Sequence, residues 1–489
     1  MPAPEPQPAG PIPPHRVPTL VTGRRSHSML TQAREMASAL ALRPSVQEAV
    51  QARRRAVVKV ATACSGCEGI RTFMRLLNQE LVALLLVPVE VVFIWACEND
   101  PTCQKFIRQA FPDAILFANA AQLASGRAHN VMVPGQSVEI DVPIPDVLVS
   151  GIICAGPSPL NSQRRHNANC ISERRAGTGE TFWYCFDFVV RFGIKLWMIE
   201  NVVEFATGVA NIDSCMNEVI DIIEARDFTW AWRILDARHY GSCQRRRRLY
   251  IVIRHPCLGR FTPEKAAILD AFLEGDKTEA RRLEEFILPA GHAAHDPTLS
   301  DGTLANGRRP RPAPKETERA QQRYIASGAA WPPPIEHARC QRSPLQWGLR
   351  DTAHVNLVGL SEREMYLIHW HVNHCEDVLS APFASNMILN AERSWQFVNE
   401  RLPRDECPTI TAKCEMVLYA TGAEVQLRWF SPRELWPMQG LSIELMLRRN
   451  FAAVARYFSH RQLISLAGSA FHMPSAAAFL TGVIYMDSF

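Results

Sequence analysis

From Val57 onward, short and almost wholly apolar runs alternate with stretches whose apolar residues recur every three or four positions. Val57-Val58-Lys59-Val60-Ala61, Val91-Val92-Phe93-Ile94-Trp95-Ala96, Val147-Leu148-Val149, Leu196-Trp197-Met198-Ile199 and Leu249-Tyr250-Ile251-Val252-Ile253 read as strands. Between them, residues 69–84, 101–110 and 217–224 read as helices. Strands that are apolar on both faces and separated by helices predict a parallel sheet covered on both sides, an α/β fold. The regularity fails after residue 255 and helical periodicity returns near 361–371. No internal repeat is visible.

The pattern divides the chain into five segments. Residues 1–30 hold eight prolines in the first eighteen positions and cannot bury enough apolar surface to offset ordering, so disorder is expected there. Residues 31–56 form a helical lead-in, with helix expected over 30–53. Residues 57–255 form the first part of the α/β domain. Residues 256–425 make a second, less regular region with a Pro- and Arg-rich linker at 302–334, and 426–489 return to the first domain.

Composition adds two constraints. Fourteen scattered cysteines, with no apolar export segment at the N-terminus, suit reduced thiols in an intracellular protein. The longest apolar stretch, near 81–96, is interrupted by Pro88 and Glu90, so no membrane span is expected. A net charge of +4 excludes little, but its distribution is uneven: residues 1–60 carry nine Lys/Arg against three Asp/Glu. Further arginines cluster at Arg164-Arg165, Arg174-Arg175 and Arg245 to Arg248. Such clusters suit a polyanionic partner or, equally, a solvated surface.

Chemistry-bearing residues gather at the ends of the expected strands. The first ends in Ala63-Cys64-Ser65-Gly66-Cys67-Glu68-Gly69 before a helix, where backbone N–H groups approach a cofactor and a helix N-terminus favours negative charge. The second ends in Cys97-Glu98-Asn99-Asp100, an acid at the place that commonly binds ribose hydroxyls. The third runs into Ser150-Gly151-Ile152-Ile153-Cys154-Ala155-Gly156-Pro157-Ser158, with a cysteine where such sheets place their ligands. The fourth ends in Glu200-Asn201-Val202, and Gln244 to Arg248 precede the fifth.

This set resembles the DNA (cytosine-5) methyltransferase family. Cys64-Ser65-Gly66-Cys67-Glu68-Gly69 resembles its cofactor loop, Glu98 its ribose-binding acid, and the segment around Cys154 its nucleophile loop. Glu200-Asn201-Val202 matches its Glu-Asn-Val motif; Gln244, Arg246 and Arg248 match Gln-x-Arg-x-Arg. Ser431-Pro432-Arg433-Glu434 through Gln439-Gly440 resembles its Arg-Glu helix, and Gln462 through Ser469-Ala470 its closing segment. The matches run in family order from about residue 57 to 485.

The resemblance implies a doubly wound, Rossmann-like methyltransferase sheet that uses S-adenosyl-L-methionine, with a smaller target-recognition region inserted late. Cytosine C5 is a poor nucleophile until a thiolate adds at C6. The implied roles follow from that. Cys154 is the thiolate, Glu200 bonds N3 and the exocyclic amine, Arg248 holds O2, and Arg246 supports Glu200. Cys64, Ser65, Gly66, Gly69, Glu98, Asn99, Asn119 and Ser469 would bind the cofactor. Ser158, Arg164, Arg165, Gln244, Arg245, Arg247, Thr409 and Thr411 would contact DNA, whose target base must be flipped out. No metal site is expected, and the Pro-rich tail and insertions suit a eukaryotic, nuclear protein.

Departures from the family pattern keep alternatives open. Ile153, Ala155 and Pro157 alter the nucleophile loop, Cys64 and Glu68 the cofactor loop, and Ser469 stands for Asn. A catalytically weakened DNA-binding module and an RNA (tRNA) cytosine C5-methyltransferase are the alternatives. A thiol–disulfide reading of Cys64-Ser65-Gly66-Cys67 leaves Glu200 and the arginine strand unexplained. His369, His371, His374 and Cys375 lack a clean zinc-binding spacing.

Overall fold

The computed structural model describes residues 29–51, 57–84, 90–153, 169–175, 177–207, 214–288, 354–356, 387–390, 406–412, 414, 416–421 and 425–487. Two helices, α1 (Met29–Ala41) and α2 (Pro44–Gln51), lead in. The expected single helix over 30–53 is thus broken, because Pro44 cannot continue α1 and instead opens α2. The first half of the sheet follows as β1 (Val57–Ala63), α3 (Gly69–Ala83), β2 (Glu90–Cys97), α4 (Pro101–Ala110), β3 (Ile115–Phe117), β4 (Arg127–Asn130) and β5 (Val138–Asp141). The second half comprises β6 (Val147–Gly151), α5 (Thr178–Phe192), β7 (Leu196–Val202), α6 (Glu204–Thr207), α7 (Cys215–Glu224), β8 (Thr229–Asp236) and β9 (Arg247–Arg254). The α4 helix starts where the sequence places it, because Asp100 caps the amides of Thr102 and Cys103 and Pro101 fixes the first turn.

Among the described residues, these nine strands form one sheet in the order β5-β4-β3-β2-β1-β6-β7-β9-β8. Strands β3, β2, β1, β6 and β7 run parallel, while β9 lies antiparallel between β7 and β8. The chain winds outward from β1 to the β5 edge, then crosses back to place β6 on the other side of β1. This is the doubly wound α/β arrangement. It puts the reversal of strand order, where such sheets bind ligands, between the carboxyl ends of β1 and β6.

Alternation along the strands builds two cores. Val58, Val60, Val147, Val149, Met198, Tyr250 and Val252 face one helical layer, whereas Ala63, Leu148, Trp197, Ile199, Leu249 and Ile251 face the other. Beneath the second layer Phe182 and Phe186 of α5 stack 5.5 Å apart and pack on Trp197.

One domain boundary differs from the sequence reading. Residues after 255 do not begin a separate region, since α8 (Pro263–Gly275) sends Leu269, Phe272 and Leu273 into the first core, followed by Leu283 and Phe286. Residues 263–286 thus pack as part of the first domain. The apolar positions of α8 are diluted by a mixed face, which hid the helix from a periodicity reading. Strands β3, β4, β5 and β8 were likewise not singled out; the first three are short, β8 is an edge strand, and β4 and β5 mix polar with apolar residues. The expected linker at 302–334 and the helix near 361–371 lie outside the described residues.

A second sheet contains β10 (His354–Asn356), β11 (Met387–Asn390), β12 (Met416–Thr421) and β13 (Val425–Trp429), in the order β10-β13-β12-β11. The chain then forms α9 (Pro432–Met438), α10 (Ile443–Leu447), α11 (Phe451–Ala455), α12 (His460–Ser469) and α13 (Met473–Met486). Capping boxes at Ser431/Glu434 and Ser459/Gln462 fix the starts of α9 and α12. All fourteen residues of α13 are buried, and it packs against α3 and α8. The run His460–Met486 is long and apolar enough to cross a membrane, but 78% of its most apolar window is buried within the protein, as suits a core helix. Arg254 of β9, itself fully buried, is held there by Asp487 just past α13.

Candidate active site

Backbone meets backbone where β1 ends. Cys64, Gly66 and Glu68 all take positive φ (55°, 75° and 59°), which folds residues 64–68 tightly against the sheet edge. A Cβ on Gly66 would lie 2.7 Å from the Ser469 carbonyl oxygen, and one on Gly151 would lie 2.4 Å from that of Cys64. Only glycine fits these approaches. They join the β1 loop, the end of β6 and the segment after α12 into one floor.

Glu98, at the end of β2, rims this floor. Its Oε2 accepts from the Gly66 amide at 3.0 Å, and its Oε1 accepts from Asn99 at 2.9 Å and Asp100 at 3.2 Å. Burial pushes the carboxyl up to about 7, against the opposing pull of those three amides. Glu68 is buried as the left-handed residue before α3, accepting from the hydroxyls of Ser65 and Thr62. Burial raises its carboxyl too.

The remaining expected cofactor residues divide. Ser65 is buried with its hydroxyl donated to Glu68, and Gly69 is buried against Leu441 and Met473, so both shape the loop rather than offer side chains to a ligand. Asn99, Asn119 and Ser469 are exposed and Cys64 half-buried along the rim. Asn119 already accepts from the Ala121 amide at 2.9 Å through its carbonyl oxygen, which leaves that oxygen one further lone pair.

On the other side of β6, the candidate chemistry comes from β7 and β9. Their antiparallel register pairs Glu200 with Tyr250 and Val202 with Arg248, so Glu200 and Arg248 sit diagonally on one face. Arg248 Nε lies 3.2 Å from Glu200 Oε1, and Arg246 lies 3.7 Å from the same oxygen. Glu200 and Arg246 are buried and Arg248 nearly so. Asn201 reaches sideways, donating from Nδ2 to the Ile152 carbonyl at 3.2 Å, so the strand that carries Glu200 also anchors the stretch leading to residue 154. Cys154, Ser158, Arg164 and Arg165 lie outside the described residues, as do His369, His371, His374 and Cys375.

Arg246 has a wider structural role than sequence gave it. Its guanidinium donates to the Ile410 carbonyl and the Ala470 carbonyl, each at 3.0 Å. Alongside, Arg245 donates to Cys407 at 2.7 Å and Cys407 to Cys243 at 2.9 Å, so residues 243–246 and 407–410 are joined along their backbones. Gln244 is a correction: it is fully buried, accepts from the Ile410 amide at 3.0 Å and cannot reach nucleic acid from there. Thr409 gives its hydroxyl to the Arg245 carbonyl at 2.7 Å and Thr411 is half-buried, whereas Arg245 and Arg247 point outward. Alternation along an extended segment separates the inward Gln244 and Arg246 from the outward Arg245 and Arg247.

Sequence reasoning missed the residues that come from afar. Phe471 lies against Gly151. His472, buried and close to Arg246, has its imidazole pushed down to about 3 by burial and then by that positive charge, so it is neutral. No spacing signal links these to Glu200. In the β1 loop burial pushes Cys67 up to about 12 and, with Glu98, lifts Cys64 well above the usual thiol range, the opposite of the depression that favours thiol exchange. Among the described residues no group of three or more His, Cys, Asp or Glu is placed to hold a metal ion.

Residues 58–285 match the model of the family C-5 cytosine-specific DNA methylase. A DNA (cytosine-5-)-methyltransferase, DMT5, of Cryptococcus neoformans var. grubii is 24% identical over 209 residues, 42% of this chain and 8% of its own length. The chain thus spans a small part of that relative. Two solved structures overlap it broadly but loosely. The Entamoeba histolytica methyltransferase EhMeth (10% identity, TM-score 0.42) covers 88% of this chain and 98% of its own. The S. pombe Dnmt2 methyltransferase (11% identity, TM-score 0.42) covers 87% and 98%.

Proposed function

We propose, from the premise that this chain is a divergent member of the C-5 cytosine-specific DNA methylase family through residues 58–285, that it transfers a methyl group from S-adenosyl-L-methionine to C5 of cytosine in DNA. The observation that carries the reading is the Glu200–Arg248 pair, 3.2 Å apart, on the strand edge whose Asn201 also holds the approach to Cys154. A carboxylate and a guanidinium side by side are complementary to a cytosine edge, with its N3 and amine beside its O2. In this proposal Cys154 adds to C6, Glu200 bonds N3 and the amine, and Arg248 bonds O2 as negative charge develops there. Preorganised donors and acceptors of this kind stabilise the transition state far more than the ground state. Arg246 acts behind them as a positioning residue. The base has to leave the duplex to reach this edge.

The residues around the β1 loop fit the cofactor. Gly66 and Gly151 leave no room for a Cβ, so backbone lines the floor, and Glu98 Oε2 accepts one bond and keeps a lone pair for a ribose hydroxyl. S-adenosyl-L-methionine supplies an electrophilic methyl when bound. Glu98 would orient its ribose, and Cys64, Asn119 and Ser469 would line its rim. Arg245 and Arg247 extend the polar edge outward and suit phosphate contacts. The region beyond 288 would carry target recognition, and a nuclear location belongs to the same proposal.

Covalent trapping tests it. With S-adenosyl-L-methionine and a DNA oligonucleotide carrying 5-fluorocytosine, the C5 substituent cannot be eliminated, and the protein is expected to stall as an adduct that Cys154→Ala abolishes. An adduct on RNA alone would move the substrate to RNA. Binding of both ligands without an adduct on either would make the chain a non-catalytic binding module.

A further inference from the structure

A second cavity lies away from the strand edge, on the helical layer, between the first turns of α3, the end of α4 and the end of α10. Its volume is about 320 Å³, the lower end of the range of small-molecule sites. Three arginines converge on it: Arg71, Arg75 and Arg448. Such convergence is costly. Arg75 and Arg448 are exposed at its mouth; partial desolvation and the neighbouring guanidiniums of Arg448 and Arg71 depress Arg75, and among the described residues neither Arg75 nor Arg448 forms an ion pair. Arg71, the half-buried member, is partly neutralised by Glu68 and Asp113 and lies over the Phe111 ring at 5.0 Å. Arg448 takes a left-handed backbone (φ 52°), a conformation unusual for arginine, at the point where it ends α10 beside the cavity.

We propose that this cavity binds a phosphate-bearing small molecule of nucleotide size, held by Arg71, Arg75 and Arg448. Three guanidinium forks around an open cleft, with Asp113 as its one acid, match the oxygens of a phosphate or diphosphate, and bidentate arginine–phosphate contacts are strong and directional. The apolar wall formed by Phe111 and Leu447 suits the less polar body of such a molecule. Arg75 is repelled by Arg448 and Arg71, only the last of which has acids beside it, and an anion in the cleft relieves that repulsion. The site is separate from the Glu98 and Glu200 edges, so the inference stands whether or not the methyl-transfer reading does.

Isothermal titration of the full chain with inorganic pyrophosphate and, separately, with a nucleoside 5′-diphosphate tests it. Both are expected to bind, the nucleotide more tightly. Arg75→Gln and Arg448→Asn, the latter chosen because asparagine tolerates positive φ, are each expected to weaken binding by roughly tenfold to a hundredfold. Both residues are exposed, so the melting temperature should stay near that of the parent and separate lost binding from lost fold. Binding unchanged in both variants overturns the proposal. So does displacement of pyrophosphate by sulfate at matched ionic strength, which would indicate general charge attraction. Equally decisive against it would be weakened binding of a DNA duplex in the variants with no pyrophosphate bound by the parent, which would make the patch a nucleic-acid contact.

Discussion

Glu200 on β7 and Arg248 on β9 face each other with 3.2 Å between Oε1 and Nε, and that spacing depends on an antiparallel register set by strands apolar on both faces. Glu200→Gln keeps the shape and removes the charge. It is expected to lower single-turnover methyl transfer by roughly 10²–10³ while leaving cofactor affinity unchanged. Equal loss of cofactor binding would mean that Glu200 supports the fold of the site rather than the reaction.

Arg246 is expected to matter for stability as well as activity. Arg246→Met removes the donors to the Ile410 and Ala470 carbonyls and leaves both buried without those partners. Losing one member of such a buried charged network costs about 3–5 kcal/mol, so thermal or denaturant unfolding should shift clearly. An unchanged midpoint would show that water or the backbone takes over both carbonyls.

The Glu98 carboxyl gives a pH signature. Its folded value, about 7, lies above its ordinary value of 4.5, so folding gains from the bound proton below that range and loses the gain as pH rises towards 7. Cofactor binding runs the other way, because ribose hydroxyls donate to the ionised carboxylate. Affinity for S-adenosyl-L-methionine is expected to rise about tenfold between pH 6 and pH 8, as follows from a single titration near 7, and Glu98→Gln should flatten the profile. A flat parent profile would remove Glu98 from the cofactor site.

Asp276, fully buried after α8, has neither carboxylate oxygen hydrogen-bonded among the described residues, and burial pushes its carboxyl well above the usual range. Its protonated form is therefore the one that folding favours, and that contribution is lost as pH rises. Asp276→Asn is expected to stabilise the protein at pH 8 by about 1–3 kcal/mol and to do much less at pH 4. Equal effects at the two pH values would point to a partner that satisfies the carboxylate.

How much of this was legible in the sequence follows from the range of each interaction. Five of the nine strands of the main sheet and the helix Pro101–Ala110 are local patterns, carried by apolar runs and by the Asp100–Pro101 cap, and they appear in the fold as read. The Glu200 motif and the arginine strand were found as motifs, and the antiparallel register brings them together. What escaped depends on distant partners. Gln244 looks like any polar residue in an arginine-rich run until Ile410 is folded against it. Glu68 looks like a misplaced acid in a glycine loop until Thr62 and Ser65 are seen to satisfy it. Helix α8 lacks a clean apolar stripe because it packs against α13, α1 and α2 on different sides.

Helix α13 fills the core of a domain whose sheet is complete by β9, and Asp487 meets Arg254 across 233 residues of sequence. At a synthesis rate of about 5–20 residues per second, those 233 residues take roughly 10–50 s to make. For that interval Arg254 would keep its bonds to Thr229, Leu258 and Gly259 but lack its carboxylate partner, and α3 and α8 would lack the helix that covers them. Closure of this core during synthesis is thus expected to wait for α13.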